Sequence, residues 1–485
     1  MARKDAVAVS AVTNPARNRD DALVLDWRLQ LRHDAAAMVA DMVSVLSPVK
    51  EPSASPADLP VDNAKRPPAA SFSTPAFNAS RFPFPLKSRR RRNVGWCGAY
   101  HSPNAVNMLK SDFGFTNTVD PLKTDAWDLI YGGYPHCGDG DGADPPDWGM
   151  HQRVNKHLND KGWGNLKPWQ VWFPCMGCRV TYCDKRELCR LVRDVTNTSE
   201  AACYLLPDHR AELEQAMRGH DLWVVKRDGP NLDLHAGKGI SYARTPSDLP
   251  SKVLADKREY LVMPYVHPWI GSRTDAVYKR KSELRIFLAV TSVFPALRLY
   301  AYSQAWIVLA GSKYNKTTST ITNKCMHDTH AHSGRGSCDG GLSADKRQLT
   351  FEQYATKAKM PRDTRDMLLP AAHTLLSRII HRATPSWLQH KVNAGIAASG
   401  ASCFSYMRAD LGISERGQPV VFEINEFPYV NEEASQIRPL QLASMRDLFS
   451  MIGLAQEPIL YDEAEREKFE MDHRGGWIRL FPPSP

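Results

Sequence analysis

The sequence lacks any long apolar run. Nowhere in its 485 residues does an uninterrupted hydrophobic stretch approach the roughly 18 residues that a membrane-spanning helix needs, so no membrane association is expected. The opening residues, MARKDAVAVSAVTNPARNRDD, lack the continuous apolar core of a secretory signal and acquire acids too early for a transit peptide. A cytoplasmic chain is therefore expected. Internal repeats are absent, which excludes a solenoid.

What is present points to a globular body. A hydrophobic content of 42% with 24% charged residues can bury a large core in two or three subdomains. The 62 Lys and Arg exceed the 53 Asp and Glu, for a net charge of +9, which favours acidic partners. Part of that excess is one run, KSRRRRN, read as a solvated linker end, with a nuclear address or polyanion contact as the alternative. Nucleic acid is not the expected partner.

In a cytoplasmic chain the ten cysteines read as mostly reduced thiols. Cys175, Cys178, Cys183 and Cys189 raise the possibility of zinc, but the second pair has the wrong spacing and DKRELCRLVRD looks helical, so buried or idle thiols are the preferred reading. The segment CMHDTHAHSGRGSC holds Cys325, His327, His330, His332 and Cys338, but its Gly and Ser content suggests a loop.

Composition divides the chain. Residues 1–92 are rich in Ala, Pro, Ser and charge and read as a disordered extension with one helix near Asp21 to Leu46. Residues 93–200 form an N-terminal subdomain and 201–485 the remaining folded body. Within that body, LLPDHRAELEQAMRGHDLWVVK suggests a helix N-capped by Asp208, with Leu213 and Met217 on one face and Gly219 as its stop, followed by a strand that delivers Lys226 to its end. Gly229, Gly237 and Gly239 then lie in a loop where bare backbone can approach phosphates, although an ordinary hairpin would look similar. EYLVMPYV is another strand. In KRKSELRIFLAVTS, period two places Lys281, Glu283 and Arg285 on one face and Leu284, Ile286, Leu288 and Val290 on the other. That charged face suits an anionic ligand, with an exposed edge strand as the alternative.

The segment PVVFEINEF carries two oxygen ligands in an otherwise apolar strand. Alternation puts Val420, Phe422 and Ile424 on one face and Val421, Glu423 and Asn425 on the other. CFSYMRADLGI reads as the preceding strand and SERGQP as the turn. With the hairpin centred between Arg416 and Gly417, Asp410 falls opposite Glu423. Two carboxylates and an amide oxygen then converge, a hard-oxygen set suited to Mg²⁺ carrying a nucleotide phosphate. Exposed polar positions on an edge hairpin are the alternative.

The order of these blocks, from about residue 150 to 482, resembles the tubulin–tyrosine-ligase-like family, whose members have an ATP-grasp fold. The resemblance implies an α+β fold with an N-terminal α/β subdomain, and ATP and Mg²⁺ as cofactors. It places Lys226, Gly237, Lys238, Gly239, Lys281, Thr322 and Asn323 around ATP, with Tyr265 and Val266 lining the adenine site. Lys281, Glu283 and Arg285 match the family's Lys-Phe-Asp-Leu-Arg block, with Glu283 and Arg285 as catalytic candidates, and Asp410, Glu423 and Asn425 match its magnesium ligands. There are departures. Arg227 follows Lys226 where the family has proline, and Glu283 replaces aspartate. Met263 and Pro264 stand where a Gln and often a basic residue contact adenine. The Tyr-Arg-Glu-Gly block reads Tyr302, Ser303, Gln304, Ala305, a further arginine aligns with Val308, and a histidine aligns with Thr320. Arg227 is the expected replacement for the missing phosphate arginine, and Arg298 is expected in a surface ion pair.

The implied reaction is ATP-dependent amide formation through an acyl phosphate. Glutamate would be added to an acidic tail such as that of tubulin, by a monomeric enzyme in the cytoplasm or at a microtubule, cilium or flagellum. Two other readings stay open: a catalytically inactive microtubule-binding relative, and a small-molecule ligase.

Overall fold

The computed structural model describes residues 92–95, 103–119, 128–131, 171–173, 182–196, 202–227, 239–249, 260–271, 276–293, 296–316, 323–327, 329, 342, 344–393, 402–425, 428, 435–454 and 463–482. The chain divides into two units, Met1–Phe82 and Pro83–Pro485. The first lies wholly outside the described residues, as does almost all of the extension expected over residues 1–92.

The second unit is α+β and contains three sheets. Strands β1 (Arg92–Gly95), β2 (Phe115–Val119), β3 (Leu129–Tyr131) and β4 (Val171–Phe173) form a parallel sheet, with helix α1 (Pro103–Asp112) connecting β1 to β2. That is the α/β arrangement expected for the N-terminal part. A small antiparallel sheet consists of β5 (Tyr204–Leu206), β6 (Trp223–Arg227), β7 (Ile240–Ala243) and β8 (Tyr260–Pro264), in the order β5-β8-β6-β7.

The third sheet is built on β9 (Arg280–Ser292), with β10 (Arg298–Tyr302), β11 (Trp306–Lys313) and β12 (Gln348–Thr350). Strand β13 (Ser402–Cys403) joins the parallel sheet beside β4, and the chain then returns to the third sheet as β14 (Ser405–Ile413), β15 (Pro419–Asn425) and finally β16 (Trp477–Phe481). Strand β9 pairs antiparallel with β10, β11 and β14. It is therefore central, and the edge-strand alternative for its charged face fails.

The remaining helices include α2 (Lys185–Val195), α3 (Arg210–Ala216), α4 (Lys324–His327), α5 (Arg362–Asn393), α6 (Ile437–Met451) and α7 (Glu463–His473). Helix α2 starts where Asp184 accepts from the backbone N–H groups of Arg186 and Glu187, at 2.9 and 3.0 Å, which satisfies two donors that a helix leaves unpaired. Helix α3 is preceded by His209 rather than the expected Asp208, and no side chain caps it. Its Leu213 is buried with Met217 as expected, and a 3₁₀ turn ends at Gly219.

One face of the β9 sheet carries the larger core. Phe287 and Ala289 of β9, Trp306 and Val308 of β11 and Phe404 and Tyr406 around β14 pack with Leu440, Met445, Leu448 and Phe449 of α6. Phe287 lies 4.7 Å from the Trp306 ring and 4.9 Å from that of Tyr406. Next to this core, Arg298 is 1% exposed and its Nε and Nη2 donate to Glu470 at 2.8 and 2.9 Å, while Thr291 and Tyr300 donate to the same carboxylate. The expected surface pair is thus buried, because Arg298 points inward with Tyr300.

The cysteines depart from expectation. Cys189 of α2 is bonded to Cys203 just before β5, and Cys183, Cys325 and Cys403 are also disulfide-bonded. None of the described cysteines is a free thiol. Neither zinc ligation nor idle thiols describes them. Spacing could not show this, because Cys189 finds its partner in the next element rather than in its own cluster.

Candidate functional site

The charged residues of β9, β14 and β15 come together through strand register. Asp410 pairs with Glu423 across the β14–β15 hairpin and with Arg285 across β9; next to the turn Ile413 pairs with Pro419, so the hairpin is centred on Arg416 rather than between Arg416 and Gly417 as expected. Gly417 adopts φ +74, a left-handed conformation that glycine takes without strain. The pairing then skips from Asp410 and Glu423 to Leu411 and Val421, so Phe422 is an extra residue in a β-bulge. A bulge bends its strand and re-aims its side chains. The Phe422 ring consequently lies over Gly412, close enough that a Cβ there would sit 2.3 Å from it. The expected strict alternation placed Phe422 away from Glu423, and the bulge corrects it.

Phe422 now sits between two lysines. Lys226 Nζ lies 5.7 Å and Lys281 Nζ 5.2 Å from its ring centroid, within reach of a cation–π contact. Lys281 Nζ also lies 4.7 Å from the Tyr265 ring. This brings β6 of the small sheet against β9 and β15 of the large one. Adjacent strand residues point to opposite faces, so Arg227 points away from the Lys226 face. Its Nε is buried without a hydrogen-bond partner. The expected role of Arg227 over the γ-phosphate is therefore not supported by its placement.

Around the carboxylates the hydrogen bonding is dense. Arg285 Nε donates to Glu283 Oε1 at 2.8 Å and lies 3.7 Å from Asp410 Oδ1. Thr329 donates to the other oxygen of Glu283 at 2.8 Å. Asn425 Nδ2 donates to Asp410 at 3.0 Å and to Glu423 at 3.1 Å. Arg408, two residues before Asp410, donates Nε and Nη2 to its two carboxylate oxygens at 2.6 and 2.7 Å. Asp410 is 1% exposed. Burial pushes its carboxyl above the usual range, against the pull of Arg408 and Arg285. Burial opposes the charge on Arg408, yet Asp410 outweighs it and holds the guanidinium more firmly protonated.

The fit to a divalent cation can be judged from these contacts. Asp410, Glu423 and Asn425 meet as expected, and what bridges the two carboxylates is a donor, the Asn425 amide. The spot thus calls for positive charge, and its oxygens are of the hard type. Among the described residues no group of three or more His, Cys, Asp and Glu could hold a metal ion. An ion here would need the amide and ligand oxygens besides the two carboxylates. The residues fit a phosphate-borne Mg²⁺ rather than a dedicated protein cage.

Tyr265 is nearly buried, and its hydroxyl meets His327 Nδ1 at 2.8 Å. Tyr242, His267, Tyr314 and His327 surround its ring. Burial pushes the Tyr265 phenol well above its ordinary value. Val266 is buried beside it. Asn323 precedes α4, and its carbonyl accepts from the Met326 N–H. His327, read from sequence as part of a loop, ends this short helix. Gly239 adopts φ +79, and its carbonyl accepts from the Arg227 N–H at 2.9 Å. Gly237, Lys238 and Thr322 lie outside the described residues.

The profile of the tubulin-tyrosine ligase family matches residues 177–459, more than half of the sequence. The chain belongs to the tubulin-tyrosine ligase family. Similar proteins include tubulin monoglutamylase TTLL4 of Mus musculus, 24% identical over 258 residues, which cover 52% of this chain and 20% of that protein. Tubulin polyglutamylase ttll6 of Danio rerio is 24% identical over 248 residues, 42% of this chain and 30% of that protein. Tubulin polyglutamylase ttll-4 of Caenorhabditis elegans is 22% identical over 264 residues, covering 53% and 40%. The chain thus spans a fifth to two fifths of the length of these relatives. The family match takes in every site residue described above, from Lys226 to Asn425.

Proposed function

We propose that the chain is an ATP- and Mg²⁺-dependent carboxylate–amine ligase of ATP-grasp architecture that adds an amino acid, glutamate in the first instance, to an acidic protein tail such as that of tubulin. The observation that carries this reading is the convergence of Lys226, Lys281, Glu283, Arg285, Asp410, Glu423 and Asn425 at one end of β9, β14 and β15. Relatives named as tubulin monoglutamylases and polyglutamylases support the acceptor and the amino acid.

The chemistry follows from positioning and charge. The acceptor carboxylate attacks the γ-phosphorus of ATP, forming an acyl phosphate and releasing ADP. The amine of the incoming amino acid then displaces phosphate to give the amide. No protein nucleophile is required. Lys226 and Lys281 neutralise nucleotide phosphates, with Phe422 and Tyr265 fixing where the ammonium groups stand. Arg285, held by Glu283, stabilises charge that develops on the acyl phosphate or the tetrahedral intermediate. Asp410, Glu423 and Asn425 would hold a divalent cation, whose charge would screen the phosphate oxygens. Gly237, Lys238, Gly239, Thr322, Asn323 and Val266 complete the nucleotide site in this proposal, and the enzyme acts as a monomer.

A second reading, an inactive microtubule-binding relative, is favoured by one observation. Val308, where the family has an arginine, pairs with Glu283 across β9 and is buried in the larger core, and Ser303 is exposed. ATP turnover in the presence of acidic peptides separates the two. Phosphate release that depends on both peptide and amino acid supports the ligase, and nucleotide-independent peptide binding without turnover supports the inactive relative. The disulfides bear on where the acceptor is met. Such bonds are rare in cytosolic proteins, so a cytoplasmic, microtubule-associated enzyme requires that these cysteines be bonded there or stay reduced.

A further inference from the structure

Arg408 has no role in the family pattern described above, yet it is the guanidinium in closest contact with Asp410. It lies on the site face because it precedes Asp410 by two residues on β14, and it pairs across the hairpin with Asn425. It is 7% exposed, so its charge needs an anion close by. At present Asp410 supplies that anion on both oxygens, at 2.6 and 2.7 Å. Glu283 and Glu423 add to the negative field around it. Among the described residues on this face of β9, β14 and β15, the guanidinium groups are those of Arg285 and Arg408, and Arg285 is engaged by Glu283 at 2.8 Å.

We propose that Arg408 is the phosphate-binding arginine of this site: it neutralises Asp410 while the site is empty, and transfers its two N–H donors to the nucleotide's phosphate oxygens when a divalent cation takes Asp410. This inference rests on the ligase reading. A carboxylate accepts a bidentate guanidinium or a metal ion at the same lone pairs, so the two cations compete for Asp410. The displaced guanidinium needs another anion, and phosphate offers the same bidentate geometry. Arg408 thereby supplies from β14 the positive charge that Ser303 and Val308 lack. Arg227 cannot, since it faces the other side of β6.

The test uses full-length protein and two variants, Arg408→Met and Arg408→Lys. Mn²⁺ is titrated without nucleotide by electron paramagnetic resonance, and a non-hydrolysable ATP analogue is then titrated by calorimetry in saturating Mg²⁺. Removing the competing cation should tighten Mn²⁺ binding in Arg408→Met tenfold or more, and should weaken the nucleotide analogue tenfold or more. Arg408→Lys should recover part of the nucleotide affinity, because it keeps the charge without the fork. If Arg408→Met does not fold by circular dichroism, the Lys variant carries the comparison, with nucleotide binding several-fold weaker than wild type expected. Wild-type nucleotide binding with unchanged affinities in the folded variants overturns the role of Arg408 alone. Absence of nucleotide binding by the wild type overturns the ligase reading and this inference with it.

Discussion

Replacing Gly412 by alanine tests how the β-bulge builds the site. A Cβ at this position would meet Phe422 Cζ at 2.3 Å and its Cε2 at 2.9 Å, whereas unbonded carbons rest at about 3.5 to 4.0 Å. The ring must therefore retreat by on the order of 1 Å or more. Lys226 Nζ already stands 5.7 Å from that ring, near the limit of about 6 Å for a cation–π contact, and loses it. Overpacking costs about 1–3 kcal/mol, and each lost cation–π contact adds about 0.5–1 kcal/mol. Gly412→Ala should accordingly lower the urea midpoint at unchanged slope, by the equivalent of about 1.5–4 kcal/mol. Its ATP affinity should fall with it. Phe422→Ala made in the same chain removes the obstruction, so the double variant should be more stable than the additive sum of the two single changes. Wild-type stability together with wild-type ATP affinity in Gly412→Ala would refute the reasoning.

Glu470→Ala should destabilise the fold by about 3–5 kcal/mol, since it strips the buried Arg298 guanidinium of its carboxylate; a urea midpoint within error of wild type would contradict the buried pair. Reduction of the Cys189–Cys203 bond, which closes a separation of 14 residues, should cost about 3 kcal/mol, and non-reducing peptide mapping should recover the two cysteines linked. Free Cys189 and Cys203 thiols in native protein would remove that bond from the account. Burial lowers the His373 imidazole to about 4, so below its unfolded value of about 6.5 the unfolded chain binds the extra proton and stability falls as pH falls. Between pH 7 and pH 5 that loss amounts to about 2 kcal/mol; His373→Leu should flatten the dependence, and identical urea midpoint shifts in both proteins would show that His373 does not contribute.

Much of the site was readable because strand alternation leaves a direct trace in the sequence. The charged set Lys281, Glu283 and Arg285 follows from period two, whereas Asp410 opposes Glu423 only because the bulge at Phe422 offsets a hairpin centred half a residue from the expected point. The same alternation contained two further results that a focus on motifs obscured. Lys226 and Arg227 are neighbours and so must face apart, and Arg408 must share a face with Asp410. The bulge at Phe422 was not readable, because period two assumes that neither strand carries an extra residue. The approach of His327 and Thr329 to Tyr265 and Glu283 depends on how a distant segment folds back. The disulfides were misread for another reason: the thiols were judged by an assumed compartment, whereas pairing depends on which elements meet.

The central claim is that this site makes an amide at the expense of ATP. Purified protein incubated with ATP, Mg²⁺, mixed amino acids and tubulin or acidic tail peptides should yield acceptor peptides heavier by one or more glutamyl residues in mass spectrometry. Glu423→Gln, which removes a ligand charge while conserving shape, should abolish that mass shift without changing the melting curve. Unmodified acceptors after exhaustive incubation with wild type, or full modification by Glu423→Gln at ordinary magnesium concentration, would contradict the account.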